Sequence, residues 1–251
     1  MPDRLQALKS SSAHLRSIVE PLRDEQIVAP SYASEWTIAD VLSHLGSSAV
    51  IMGARLDAGL AGTQPADDFA APVWDQWNAK SPAAKVADGL AADRAYLERL
   101  DAVTAAERAA FHVTLGPMQL DFDGLVGTRL NEHALHTWDI EVMFDPSAPV
   151  APDATALIID NIAMIVGFTG KPTGAERVLH VRTTEPARDF ALAVGKERMS
   201  LEPDTGDRAP DLELPAEAFI RLVYGRLDPD HTPSVRGSAD LDELRRMFPG
   251  V

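Results

Sequence analysis

Arg129-Leu130-Asn131-Glu132-His133-Ala134-Leu135-His136-Thr137-Trp138-Asp139 is the stretch on which the reading of this chain turns. It sits inside a longer helical pattern from about Asp123 to Phe144, ended by Asp145-Pro146. Leu125, Val126, Leu130, Ala134, Leu135, Trp138, Ile140 and Val142 place apolar groups nearly all round that helix, so the helix is expected to be buried. At ~100° per residue, Arg129, Glu132, His136 and Asp139 nevertheless fall within roughly 80° of one another and form one polar stripe. Glu132 and His136, at i and i+4, project side by side, and a carboxylate oxygen next to an imidazole nitrogen is one way a helical bundle holds a divalent metal.

Two ligands do not make a site, and the nearest candidate for a third lies on an earlier helix. Thr37 followed three residues later by Asp40 reads as a capping signal, with Asp in place of the usual Glu or Gln. The helix it starts carries the apolar stripe Ile38, Val41, Leu42, Leu45, Ala49, Met52 and Leu56 and ends at Gly59 to Gly62. His44 lies on its flank, roughly 110° from the stripe's centre at ~100° per residue, where it can look sideways at the later helix. His44, Glu132 and His136 together make a three-ligand set with an open position, the arrangement expected of a catalytic zinc or similar ion. The same residues also admit plainer readings. Glu132 with His136 is equally an ordinary i,i+4 pair, His44 a partly exposed helix residue, and Arg129 with Asp139 a structural ion pair. His133 lies off the stripe and is expected to be structural or exposed, His112, His180 and His231 to lie on the surface or in loops, and His14 is a weaker fourth-ligand candidate. Asp40 either caps its helix or orients His44.

Outward from these two helices, Leu5 to Leu22 repeats apolar residues at helical spacing. Ser81-Pro82 supplies an N-cap and an N1 proline for a helix buried through Val86, Leu90, Leu97 and Leu100. Thr63 to Lys80, with Trp74 and Trp77, reads as a loop, and Phe111 to Leu120 is interrupted by Gly116-Pro117. Pro146 to Pro152 has three prolines in seven residues, which reads as a stiff linker. The boundary is therefore set there, with a helical bundle over residues 1–147 and a small α+β domain over 148–251. In the second part, Ala154 to Phe168 reads as one apolar helix capped by Gly170. Short runs at Val178–Thr184, Phe190–Val194, Met199–Glu202 and Leu212–Leu214 read as strands, followed by helices at Pro215–Tyr224 and Asp240–Met247.

Composition narrows the function classes. In 251 residues, 23 Lys and Arg stand against 38 Asp and Glu, a formal charge of −15, which disfavours nucleic acid and anionic membrane surfaces as partners. The 45% hydrophobic and 24% charged content is that of a globular protein. The absence of cysteine removes disulfides, thiolate zinc sites and cysteine nucleophiles, leaving histidine and carboxylate as metal ligands. Met1-Pro2-Asp3-Arg4-Leu5-Gln6 lacks the pattern of a signal peptide and no apolar run is expected to span a membrane, so the expected location is the cytoplasm.

Trp36-Thr37-Ile38-Ala39-Asp40-Val41-Leu42-Ser43-His44-Leu45, taken with the Arg129 to Asp139 stretch, resembles the mycothiol-dependent maleylpyruvate isomerase family. The resemblance spans the whole chain. It implies a DinB-like four-helix bundle carrying a His, Glu, His metal site, with His44, Glu132 and His136 in the ligand positions, followed by a smaller sterol-carrier-like domain. It further implies a divalent metal such as zinc, mycothiol as thiol cosubstrate, and isomerisation or S-transfer on a small electrophilic substrate. A basic residue of the second domain is implied to act at the site, and Arg226 after Gly225 is the candidate, against the plainer reading of a solvated helix-end arginine. The rival expectations are a metal-binding or lipid-carrying protein without catalysis, and a hydrolase using metal-bound water.

Overall fold

Apolar stripes at helical spacing build four long helices in the first half of the chain: α1 (Arg4–Val19), α3 (Ile38–Leu60), α5 (Pro82–Asp101) and α7 (Phe122–Glu141). The computed structural model describes residues 3–33, 35–66, 68–173 and 176–250, so Met1 and Pro2 of the N-terminal reading lie outside the described residues. The chain divides into two compact units, Met1–Ala148 and Pro149–Val251.

In the first unit α1 packs on α7 and α5, and α3 packs on α5 and α7, so the spatial ring runs α1, α5, α3, α7 rather than in chain order. Leu15, Val19, Ile38, Val41, Leu42, Leu45, Leu90 and Ile140 form a core cluster at one end of this bundle. Close approach of α3 and α5 depends on small residues. A Cβ on Gly89 would lie 2.6 Å from the Leu42 carbonyl oxygen, a backbone atom that cannot step aside. Thr37 and Asp40 cap α3 reciprocally, the Asp40 amide donating to Thr37 Oγ1 at 3.2 Å and the Thr37 amide to Asp40 Oδ2 at 3.0 Å. Ser81 caps α5, with Pro82 in the first turn.

Short elements fill the connections: α2 (Asp24–Ile27), α4 (Ala70–Asn78), α6 (Ala105–Ala110), and the antiparallel hairpin β1 (Val113–Leu115) and β2 (Met118–Leu120). Two expectations are corrected here. The segment Thr63 to Lys80 is not all loop, because α4 forms within it and buries Trp77 while leaving Trp74 half exposed. Its start has no side-chain cap, so the usual sequence signal is missing. Gly116-Pro117 is the turn of the hairpin rather than a break in one element, with Gly116 at the positive φ (55°) that a two-residue hairpin turn needs.

The second unit opens with α8 (Pro152–Ile158), a 3₁₀ turn (Ile159–Asn161) and α9 (Ile162–Thr169), where one helix was expected. At the 3₁₀ turn the Asp160 carboxylate is held by Arg188 at 2.7 Å. Pro152–Thr169 is 18 residues long with mean hydropathy 1.2, which by length and composition is enough to cross a membrane, against the expectation that no run reaches that length. In the folded unit α8 and α9 pack on α10 (Ala216–Val223), and α9 also packs on β5 (Met199–Pro203).

Alternation of apolar and polar residues produces a four-stranded sheet from β3 (Arg177–Thr184), β4 (Arg188–Val194), β5 and β6 (Leu212–Pro215) in the order β5-β4-β3-β6. β3 pairs antiparallel with β4 and parallel with β6, so Val181 lies opposite Phe190 on one side and Leu212 on the other. Phe190 stacks on Phe219 of α10, with ring centroids 6.1 Å apart. The helix α11 (Leu241–Met247) follows, its Leu244 and Met247 buried. The architecture is thus a helical bundle followed by an α+β region with a mixed sheet, as expected.

Candidate metal centre

Two features bring His44 to Glu132. The reciprocal cap sets where α3 starts, which puts His44 in its second turn, and α7 packs against α3 through the face that carries Glu132 and His136. His44 Nε2 lies 3.1 Å from Glu132 Oε2, and His136 Nε2 lies 3.7 Å from the same oxygen. One ligand atom from each of the three side chains fits within 4.8 Å of the others, so His44, Glu132 and His136 could hold a metal ion. Ligands bound at ~2.1 Å in a tetrahedral arrangement are about 3.4 Å apart, and the observed separations bracket that spacing. The donor set of two imidazoles and a carboxylate fits a divalent ion. His136 is nearly buried, while His44 and Glu132 are 30% and 43% exposed, so the triad opens on one side.

His136 is held from behind. Its Nδ1 lies 2.7 Å from Asp139 Oδ2, one helical turn on, and Asp139 is completely buried. A carboxylate on Nδ1 keeps the proton there and leaves Nε2 as the free lone pair. Burial pushes the His136 imidazole below its ordinary range, against the opposing pull of Asp139 and Glu132, which favours the neutral form that can bind a metal. Trp36 lies against both imidazoles, at 5.2 Å from His44 and 5.9 Å from His136 between ring centroids.

The remaining predicted residues are placed elsewhere. Asp40 is absorbed by its cap and by Lys85, whose Nζ is 2.6 Å away; burial raises its pKa, but hydrogen bonds from Lys85 and Thr37 hold it below the usual range. It is a capping residue and does not orient His44. Arg129 does not pair with Asp139. Its Nη2 donates to Asp93 Oδ1 at 2.8 Å, within a buried polar cluster that includes Ser12 and His133. In that cluster Ser11 Oγ is 2.8 Å from His133 Nδ1. Burial alone would raise the Asp93 carboxyl, but His133, Arg129 and Ser12 hold it far below the carboxylate range.

His14 pairs with Glu141 at 2.8 Å and is not part of the triad. His112 is exposed, as expected, whereas His180 is fully buried on β3 with Nε2 3.0 Å from Asp189. The expectation of a surface or loop position for His180 is overturned because the register of β3 sets its ring beside Asp189 two pairs away. His231 closes on Asp228 in a short 3₁₀ turn. Arg226 is half-buried after α10, and its Nη1 donates to the Tyr224 carbonyl at 3.0 Å. Two contributors escaped sequence reasoning. Asp139 sits on the polar stripe, where the sequence offers an ion pair with Arg129 as one alternative and no sign of its contact with His136, and Trp36 lies in a loop, where no periodicity marks its direction.

Residues 8–141 match the Mycothiol maleylpyruvate isomerase N-terminal domain. The chain belongs to that family. No curated protein matches it. Among solved structures it is similar to the mycothiol-dependent maleylpyruvate isomerase, with a TM-score of 0.65 at 11% identity, covering 90% of this chain and 89% of that one. A histidine-to-alanine variant of that enzyme matches at TM-score 0.64 and 11% identity, over 89% of this chain and 88% of that one. A third similar structure, described as a probable metal-dependent hydrolase from Bacillus subtilis with an unusual four-helix bundle topology, has a TM-score of 0.41 and 18% identity over 56% of this chain and 85% of that one. At 11% identity the first two structures show the fold alone.

Proposed function

We propose that this chain is a divalent-metal-dependent enzyme, with zinc as the metal, that uses a low-molecular-weight thiol such as mycothiol in an isomerisation or S-transfer on a small electrophilic substrate. The observation that carries the reading is the His44–Glu132–His136 triad, open on one side and backed by Asp139, in a member of a family that includes mycothiol-dependent isomerases. A divalent cation held by His44, Glu132 and His136 would supply Lewis acidity, lowering the pKa of a thiol that at about 8.5 is mostly protonated at neutral pH. His44 and His136 provide neutral nitrogen donors and Glu132 a charge-neutralising oxygen. Asp139 keeps the proton of His136 on Nδ1, so that Nε2 faces the other two ligands. The chain has no cysteine, so the nucleophilic sulfur has to come from a second small molecule.

Arg226 is proposed to recognise an anionic group of the substrate. Arg226→Ala is then expected to raise the substrate KM or lower turnover and to leave metal content and thiol binding unchanged. Equal kinetic constants for the variant and the parent enzyme would remove Arg226 from the proposal.

The deciding experiment combines metal analysis of purified protein with turnover of a panel of electrophiles, maleylpyruvate among them, with and without mycothiol. Turnover that requires the thiol, and is lost with its oxygen analogue, supports the reading. Equal turnover without thiol points to hydrolysis, and metal binding without any turnover points to a non-catalytic metal protein.

A further inference from the structure

We infer that Trp36 is a positioning residue of the metal centre, holding His44 in its ligating orientation as Asp139 holds His136. The inference rests on the metal reading above and begins from an asymmetry between the two imidazoles. His136 has a buried carboxylate on its Nδ1 at 2.7 Å. Among the described residues His44 makes one side-chain polar contact, Nε2 to Glu132, and its Nδ1 has no protein partner. Metal-bound histidines almost always carry a hydrogen bond on the distal nitrogen, which fixes the ring's rotation, and His44 lacks that second anchor. Beside the Glu132 contact, ring packing is what restrains His44. The indole of Trp36 lies 5.2 Å from it at an interplanar angle of 43°, and the His136 ring lies 4.7 Å away at 65°.

The backbone of the loop that carries Trp36 is pinned at several points, while the indole itself is 37% exposed. Pro30 and Thr37 form an antiparallel bridge, the Ser31 amide donates to the Trp36 carbonyl at 2.9 Å, and Ser31 Oγ donates to the same oxygen at 3.0 Å. The Trp36 amide in turn donates to the Ala33 carbonyl at 3.1 Å. Glu35, immediately before it, has a φ of 68°, a left-handed conformation uncommon for a residue with a Cβ and one that surrounding contacts must maintain. The loop is also docked on α7, where the Tyr32 amide donates to the Asp139 carbonyl at 2.9 Å and the Tyr32 ring meets Trp138 edge-on at 4.7 Å. One residue, Asp139, thereby restrains His136 through its side chain and the Trp36 loop through its backbone. With a cation bound, charge would reinforce the contact, because metal-bound imidazoles are electron-poor and the indole face is electron-rich.

The test uses Trp36→Leu and Trp36→Phe in the full chain. Zinc affinity is read by competition with a chromophoric chelator, and ligand geometry by the visible spectrum of the cobalt-loaded protein. Trp36→Leu is expected to weaken zinc binding about tenfold, as loss of a ligand-orienting partner does, and to change the cobalt bands. Trp36→Phe, which keeps a ring over His44, is expected to recover most of the affinity and the parent spectrum. If the leucine variant fails to fold, Trp36→Met retains the bulk without the ring and takes its place. A role confined to packing would lower Tm while leaving chelator competition and cobalt spectrum unchanged, and that result overturns the inference. Parent protein that binds no zinc removes the metal reading itself, a failure visible before any variant is compared.

Discussion

Asp139 is the residue that separates a metal site from a chance meeting of polar side chains. A histidine four residues from a glutamate on a helix is common, but a completely buried aspartate 2.7 Å from the histidine's far nitrogen commits the near nitrogen to one direction. Replacing it tests that commitment. Asp139→Asn is expected to lower metal affinity by about 10- to 100-fold while the three ligands remain, measured by chelator competition. The ligands themselves are expected to behave as a set. Purified protein should carry close to one divalent ion per chain, and His44→Ala, Glu132→Ala and His136→Ala should each lose most of it in elemental analysis, because two remaining ligands rarely retain zinc. His112→Ala is the matched control, being exposed and remote in sequence from the triad. His136 also contributes a pH dependence to the metal-free protein. Its folded pKa lies below the ordinary value of 6.5, so below about pH 6.5 the unfolded chain takes up a proton that the folded chain resists. Stability of the metal-free protein should therefore fall on acidification through that range, with a shallower slope in His136→Gln, read from denaturant midpoints.

Among the elements, α5 and α7 are tied at Asp93 and Arg129, both essentially buried. Removing one partner of such a pair strands the other charge in the core, which costs about 3–5 kcal/mol. Asp93→Ala is accordingly expected to lower Tm by many degrees, in contrast to the exposed pair between Arg23 and Glu25, whose loss should be barely measurable. Legibility in the sequence followed the strength of periodic signals. The four long helices and the four strands of the sheet were readable because their apolar residues repeat at 3.6 or 2 over enough positions. Glu132 and His136 were readable as neighbours because i,i+4 spacing places them so, and His44 by its angle on α3. What lay out of reach depended on tertiary contacts. Arg129 and Asp139 stand about 15 Å apart along one helix, which already excludes their pairing, but only tertiary packing brings Asp93 to Arg129; Trp36 gains its direction from a loop tied to α7, and α4 lacks a cap to announce it. The break at Ile159–Asn161 falls where the polar pair Asp160-Asn161 interrupts an otherwise apolar run.

At the scale of the whole molecule, the stretch after α7 is the place to look for a separable boundary. Met143 and Phe144 are 44% and 47% exposed and precede a proline-rich run, whereas Ala148 is buried and its carbonyl accepts from Trp138 Nε1 at 2.7 Å. Limited chymotrypsin digestion is expected to cut after Phe144 and release a helical N-terminal fragment, identified by mass. Cleavage within α7 would place the boundary elsewhere.

Chain order, which differs from the spatial ring α1, α5, α3, α7, sets when the candidate ligands become available to a growing chain. His44 and Glu132 are separated by 88 positions, with α5 between them in sequence and beside α3 in space. A ribosome that has released α3 and α5 has produced one of the three ligands, and no ion can be captured until the last helix of the bundle has emerged and docked. An ion held there joins the second long helix to the fourth, which a folded bundle allows and a disordered chain does not. A metal bound by the triad would therefore act as a selective ligand of the finished bundle, adding about 2.7 kcal/mol of stability at a free concentration of 100 times Kd. Chelation should lower the melting temperature of the bundle in proportion, and partly made chains should neither compete for zinc nor be protected by it.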